Sequence, residues 1–112
     1  MRNLTAIALF ALGLLTGCQD NAAQIAGREA AWNEMLATQI PVGSERTRIE
    51  AWAESKYLRL SEDPAHHSLH GVVEEIQGLG FACSTSYITI HIELDASGHS
   101  IRQNVAHAAS CR

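Results

Sequence analysis

The 112-residue chain is short of several things, and each shortage closes off a class of protein. Its longest apolar run, Leu4 to Leu15, covers 12 residues and is broken by Thr5 and Gly13, whereas a helix that crosses a bilayer needs about 20. Basic residues number 8 against 12 acidic ones, the reverse of the balance that nucleic acid selects. With 2 Trp, 2 Tyr and 2 Phe, the core has to be built mostly from Ile, Leu, Val and Ala. The 3 cysteines contain no Cys-x-x-Cys spacing, which argues against a dithiol redox centre. Also absent are a Gly-x-Ser-x-Gly elbow, a Ser-x-x-Lys pair, a phosphate loop, a dinucleotide fingerprint and an HExxH frame. No internal repeat or low-complexity segment is present.

What is present begins at the N-terminus. Arg2 precedes the apolar run, and the run closes on Leu15-Thr16-Gly17-Cys18. A positive start, a short hydrophobic stretch and small residues form a secretory signal. An ordinary cleavage site ends in an Ala-x-Ala-like pattern; here the small residues lead directly into a cysteine. That ending resembles the lipobox of bacterial lipoproteins, which implies a signal peptide over residues 1–17 and Cys18 as the lipid-bearing first residue of the mature chain. Such proteins carry three acyl chains, palmitate among them, and two or more chains give stable membrane anchoring. The expected location is the cell envelope, facing the periplasm. Gln19, at the position after the lipid cysteine, favours the outer membrane by the same resemblance.

Without residues 1–17 the chain has 95 residues, 7 of them basic and 12 acidic, enough for one domain. A domain this small is marginal without help. With Cys18 assigned to lipid, Cys83 and Cys111 remain as a possible disulfide in an oxidising compartment. It encloses 29 residues counting both ends, and the chain-entropy model gives such a loop about 3.5 kcal/mol. Two free thiols are the alternative. Residues 18–23 read as the lipidated cysteine with a short tether, and residues 24–112 as a single domain.

Within that domain a first helix is expected over about Ala22–Thr38, with Asp20 or Asn21 as N-cap. Ile25, Trp32, Leu36 and Ile40, with Met35 alongside, recur at helical spacing, while Arg28, Glu29, Asn33 and Glu34 fall mainly on the other side. Pro41 ends it. Ser44 followed by Glu45 reads as the cap of a second helix that runs to about Leu58 and buries Ile49, Trp52, Ala53 and Tyr57. From Ser61 to His70 no period holds. The period then becomes 2. Tyr87–Leu94 alternates Ile88, Ile90, Ile92 and Leu94 with Tyr87, Thr89, His91 and Glu93. Asp95-Ala96-Ser97-Gly98 is a turn, and His99–Ala108 returns as a strand with Ile101 and Val105 inward. Gly71–Ile76 and Phe81–Thr85 are further strand pieces. The expected fold is α+β, a two-helix hairpin packed on an antiparallel meander of three or four strands. Its other sheet face, bearing Tyr87, Thr89, His91 and Glu93, is left open to solvent or to a partner.

The order of lipid cysteine, helix pair and meander resembles the SmpA/OmlA (BamE-like) small lipoproteins. Gly43-Ser44-Glu45-Arg46-Thr47-Arg48-Ile49 is similar to the way their helix region opens, and Asp95-Ala96-Ser97-Gly98-His99 to the turn before their last strand. The likeness spans residues 41–107. Tyr57-Leu58-Arg59-Leu60 stands where those proteins usually have Leu-Gly-x-Pro. The resemblance implies a non-catalytic role in binding or assembling other envelope proteins.

Two further functions suit the residues. A small acidic lipoprotein can serve as an inhibitor or immunity protein against an envelope hydrolase or toxin. His66, His67 and His70, three imidazoles within five residues, are candidate ligands for Zn²⁺, Cu²⁺ or Ni²⁺, but a solvated loop with uncommitted histidines is the preferred reading and no metal site is expected. His91, His99 and His107 lie on or beside the last two strands. Neither a cofactor nor catalysis is expected.

Overall fold

A computed structural model of the chain describes residues 20–77 and 83–111. Residues 1–19, where the signal peptide and the lipidated Cys18 are expected, the Gly78–Ala82 stretch and Arg112 lie outside the described residues. The order is α1 (Asp20–Gln39), α2 (Arg46–Ser55), β1 (Ser61–Asp63), β2 (Ser68–Gln77), β3 (Cys83–Leu94) and β4 (Ser100–Cys111). The four strands form one antiparallel sheet in the order β1-β2-β3-β4, and the helices cover one face of it. Among the described residues no helix is long and apolar enough to cross a membrane.

The core lies between the two layers. Trp32, Leu36 and Ile40 descend from α1 and its end, and Ile49, Trp52 and Ala53 from α2. They meet Leu69 and Ile76 of β2, Ile88, Ile90, Ile92 and Leu94 of β3, and Val105 of β4. Ile25 and Met35 pack at its margin. Helical spacing on one layer and period-2 alternation on the other thus deliver their apolar residues to a common interface.

The helix ends differ from the expectation. α1 is described from Asp20, so Asp20 and Asn21 are helical and do not cap a helix that starts at Ala22; residues 20–23, read as tether, are helical. The cap of α2 is Glu45, whose side chain makes no capping bond. Ser44 instead donates its hydroxyl to the Pro41 carbonyl at 2.6 Å, closing the interhelix turn. The free amide at the start of α2 is satisfied by tertiary contact, since Arg46 N–H donates to Gly98 O at 2.8 Å. Gly43 N–H to Ser100 O and Ser100 N–H to Ser44 O continue the same seam. The β3–β4 hairpin tip therefore caps the first amide of α2.

At its other end α2 stops at Ser55, short of Leu58. Leu58 N–H reaches Ala53 O at 2.9 Å and Tyr57 N–H reaches Glu54 O at 3.1 Å. This is a Schellman motif with Tyr57 in the left-handed position, at φ 58°. The reversal turns Tyr57 outward, so a residue expected in the core is 97% exposed. Leu58 takes the apolar contact in its place.

Three register shifts interrupt the ladders; one falls between Cys83 and Thr85, and the other two set the faces of the sheet. Of those two, one lies between Val72 and Glu74, where Val73 is the extra residue, and Glu74 is thereby turned toward the helices opposite Ile88. The other lies where Leu94 pairs with Ser100 and Glu93 with Arg102. Ile101 is the extra residue there and is 51% exposed, not inward as its spacing from Val105 suggests. β1, three polar residues long, has no periodic signal in the sequence and is held by pairing with β2 and by the Arg46–Glu62 ion pair from α2.

Candidate functional site: the open face of the sheet

The side of the sheet away from the helices carries the residues singled out on β3. Tyr87, Thr89, His91 and Glu93 point there, each half-buried between neighbouring strands. The ladder fixes their company in rows. Tyr87 lies between Glu75 and Ala108, and Thr89 between Val72 and Ala106. His91 lies between His70 and Asn104, and Glu93 between Ser68 and Arg102. Arg102 Nη1 stands 3.4 Å from the Glu93 carboxylate. Asn104, Ala106 and Ala108 are exposed, so the β4 side of the face is low and open. These flanking residues were not singled out in the sequence; carrying the alternation of β3 across to its partner strands identifies them.

One end of this face holds the β1–β2 turn. His66 Nδ1 meets Asp63 Oδ2 at 2.7 Å, and this contact holds the Asp63 carboxyl below its ordinary range. His67 is left-handed, at φ 48°, and passes its carbonyl to Leu94 N–H. His70 lies beyond the turn, in β2. The three imidazoles therefore fall on a turn side chain, a reversed backbone position and a strand, and no helix places His66 and His70 on one side. Among the described residues no group of three or more His, Cys, Asp or Glu is placed to hold a metal ion. Ser68, between Asp63 and Glu93 in the ladder, is 1% exposed, and its hydroxyl has no hydrogen-bond partner.

The other histidines brace the fold. His107 Nδ1 contacts Glu29 Oε1, tying β4 to α1. His99 stands 3.8 Å from Glu45 and 4.0 Å from Asp95. Asp95 accepts from His99 N–H, the Ser97 hydroxyl and Ser97 N–H. These bonds, the His99 amide first, keep its carboxyl below the usual range. Gly98 supplies the positive φ, 86°, that completes the three-residue hairpin loop.

On the helix side, a groove of about 450 Å³ runs between α2 and β1. Its floor is Ala53, Leu58, Leu60 and Leu69, and Arg46 stands over it. Arg46 binds Glu62 through both terminal nitrogens, at 2.8 and 3.0 Å, and Glu50 through Nε at 2.7 Å. The guanidinium is held more basic than usual, by Glu62 and then Glu50, and Glu62 correspondingly more acidic by Arg46. The groove lining offers no His, Ser or Cys to act as base or nucleophile. It is a groove with an apolar floor and a charged rim that includes Glu54, Arg59 and the ion-paired clamp.

Cys83 and Cys111 are Cα partners at the far end of the β3–β4 ladder. No protein-family model, curated protein or solved structure matches the chain.

Proposed function

We propose that this chain is a lipid-anchored protein of the bacterial cell envelope, held through Cys18, that acts as a non-catalytic module for binding or assembling other envelope proteins. The observation that carries the reading is the face of the sheet that no described element covers, with Tyr87, Thr89, His91 and Glu93 in its middle and low side chains beside them on β4. A sheet layered on one side only presents a broad, fixed surface that a protein partner can match. The Leu15-Thr16-Gly17-Cys18 ending supplies the address. The succession of helix pair and antiparallel meander accords with the likeness to the SmpA/OmlA (BamE-like) lipoproteins, and Gln19 favours the outer membrane.

The reading includes the Cys83–Cys111 disulfide. In support, Cys83 and Cys111 are Cα partners beyond the register shift at the end of the ladder, and cross-strand partners about 4.5–5.5 Å apart at Cα fall within the range a disulfide accepts.

A photo-reactive amino acid in place of Thr89, on the open face, tests the reading in intact cells against the same probe in place of Glu34, on α1. A discrete envelope-protein adduct from Thr89 and none from Glu34 is the expected result. Equal adducts from both, or none from Thr89, overturn it. Metabolic labelling with palmitate, lost in Cys18→Ser, tests the anchor separately.

A further inference from the structure

We propose that His70 and His91 form a two-imidazole site for a borderline divalent metal ion, Zn²⁺, Cu²⁺ or Ni²⁺, on the open face of the sheet. The histidine-rich turn drew attention in the sequence because three imidazoles crowd into five residues, but the fold does not gather those three. It gathers a different pair. His70 of β2 and His91 of β3 are direct Cα partners in the ladder, and both face away from the helices. Side chains directly opposite on one face stand about 4.5–5.5 Å apart at Cβ. Imidazole nitrogens bind such metals at about 2.0–2.1 Å, so two opposed rings can converge on one ion without moving the backbone.

The remaining histidines explain why this pair is the one available. His66 is engaged by Asp63, His107 by Glu29, and His99 stands against Glu45 and Asp95. His67 lies on the reversed turn, outside the His70–His91 row. Among the described residues neither the His70 nor the His91 ring has a hydrogen bond or ion pair. The row that contains them reads Ser61, His70, His91, Asn104 from one sheet edge to the other, so within the row only small or polar side chains flank the rings. One row along, Asp63 on β1 and Glu93 on β3 lie diagonally from His70. Carboxylates there can accept the second ring N–H and orient a ligating imidazole. With no third ligand in place, water completes the coordination sphere, and the ion remains open on one side.

Metal binding at this pair requires no protein partner, so its test is separate from that of the docking role. Tag-free full-length chain in detergent micelles is titrated with ZnCl₂, NiCl₂ and CuSO₄ by calorimetry, with the imidazole nitrogens followed by NMR. The expected result is one equivalent bound, with the His70 and His91 ring signals moving together. Affinity should fall roughly tenfold or more in His70→Asn and in His91→Asn alike. It should be unchanged in the His66→Asn, His67→Asn double variant. Circular dichroism identifies any variant that fails to fold, and the wild-type NMR titration stands without variants. No binding of any of the three metals overturns the proposal, as does binding that survives His91→Asn or binding that moves the His66 ring instead.

Discussion

Trp32 donates its indole N–H to the Glu74 carboxylate at 2.9 Å, joining α1 to β2 across the edge of the core. Arg28, one turn earlier on the helix, binds the same carboxylate through Nε and Nη2, at 2.8 to 3.0 Å. Glu74 can take part only because the bulge at Val73 turns it toward the helices. Its pKa is lowered, first by Arg28 and then by Trp32 against the cost of burial. A carboxylate more acidic folded than unfolded contributes stability above its unfolded pKa and loses that contribution as pH falls through its folded one. Glu74→Gln is therefore expected to cost about 1 kcal/mol at pH 7, discounted for partial exposure. The difference from wild type should shrink as pH falls below about 4, near the ordinary glutamate value. Urea denaturation of both proteins at pH 7 and again in acid measures it.

Tyr57 holds a backbone conformation that glycine adopts freely, and its side chain has almost no contact to set against the strain. Tyr57→Gly should stabilise the domain by about 0.5–1 kcal/mol through relief of the left-handed cost, partly offset by the greater freedom of glycine in the unfolded chain. A rise in the thermal midpoint checks this. A fall would mean that the tyrosine ring contributes more than its exposure suggests.

Gly71 shows the opposite constraint. A Cβ built there would lie 2.4 Å from the Arg59 carbonyl oxygen and 3.2 Å from Leu60 Cδ2. The oxygen belongs to the backbone of the segment leading into β1, so it cannot be moved by a change of rotamer. Gly71→Ala should cost about 1–3 kcal/mol, the usual penalty for overpacking. Comparing it with Gly27→Ala, in open space on α1, separates the clash from any general effect of replacing glycine, because the α1 change should be neutral or stabilising.

Much of this molecule was legible in its residues, and the parts that were not share a cause. Ile88, Ile90, Ile92 and Leu94 announced β3 and both its faces, and the helical spacing of Trp32, Leu36 and Ile40 announced the packing face of α1. These signals are local and repeat. What escaped depends on contacts distant in sequence or on an interrupted repeat. Ser44 looked like a helix cap, but the amide it was expected to satisfy is taken by Gly98 from the hairpin. Val73 and Ile101 each break the alternation by one residue, which hid the inward turn of Glu74 and the outward turn of Ile101. Tyr57 sits where glycine would have marked the end of α2. Arg28 and Glu29, placed on the outer side of α1 by spacing alone, are long enough to reach round to Glu74 and His107. On the open face, the β3 residues were legible, whereas the His70 partner of His91 needed the register.

The proposed Cys83–Cys111 bond closes the ladder at the end remote from the Asp95–His99 turn. The chain between them is the β3–β4 hairpin itself, so the crosslink restrains an unfolded loop of 29 residues. On the chain-entropy account this contributes about 3.5 kcal/mol. Replacing both cysteines with serine, or reducing the protein, should lower stability by about 2–4 kcal/mol, with the β3–β4 amides nearest the cysteines losing most protection from hydrogen exchange. Amides near Gly98 should change less, because Arg46 and the Asp95 side chain hold that end independently. Mass spectrometry of the oxidised and reduced chain gives the direct check, a difference of two hydrogens with Cys83 and Cys111 peptides joined. If those peptides stay separate in protein from an oxidising compartment, the bond is absent and the stability difference should vanish with it.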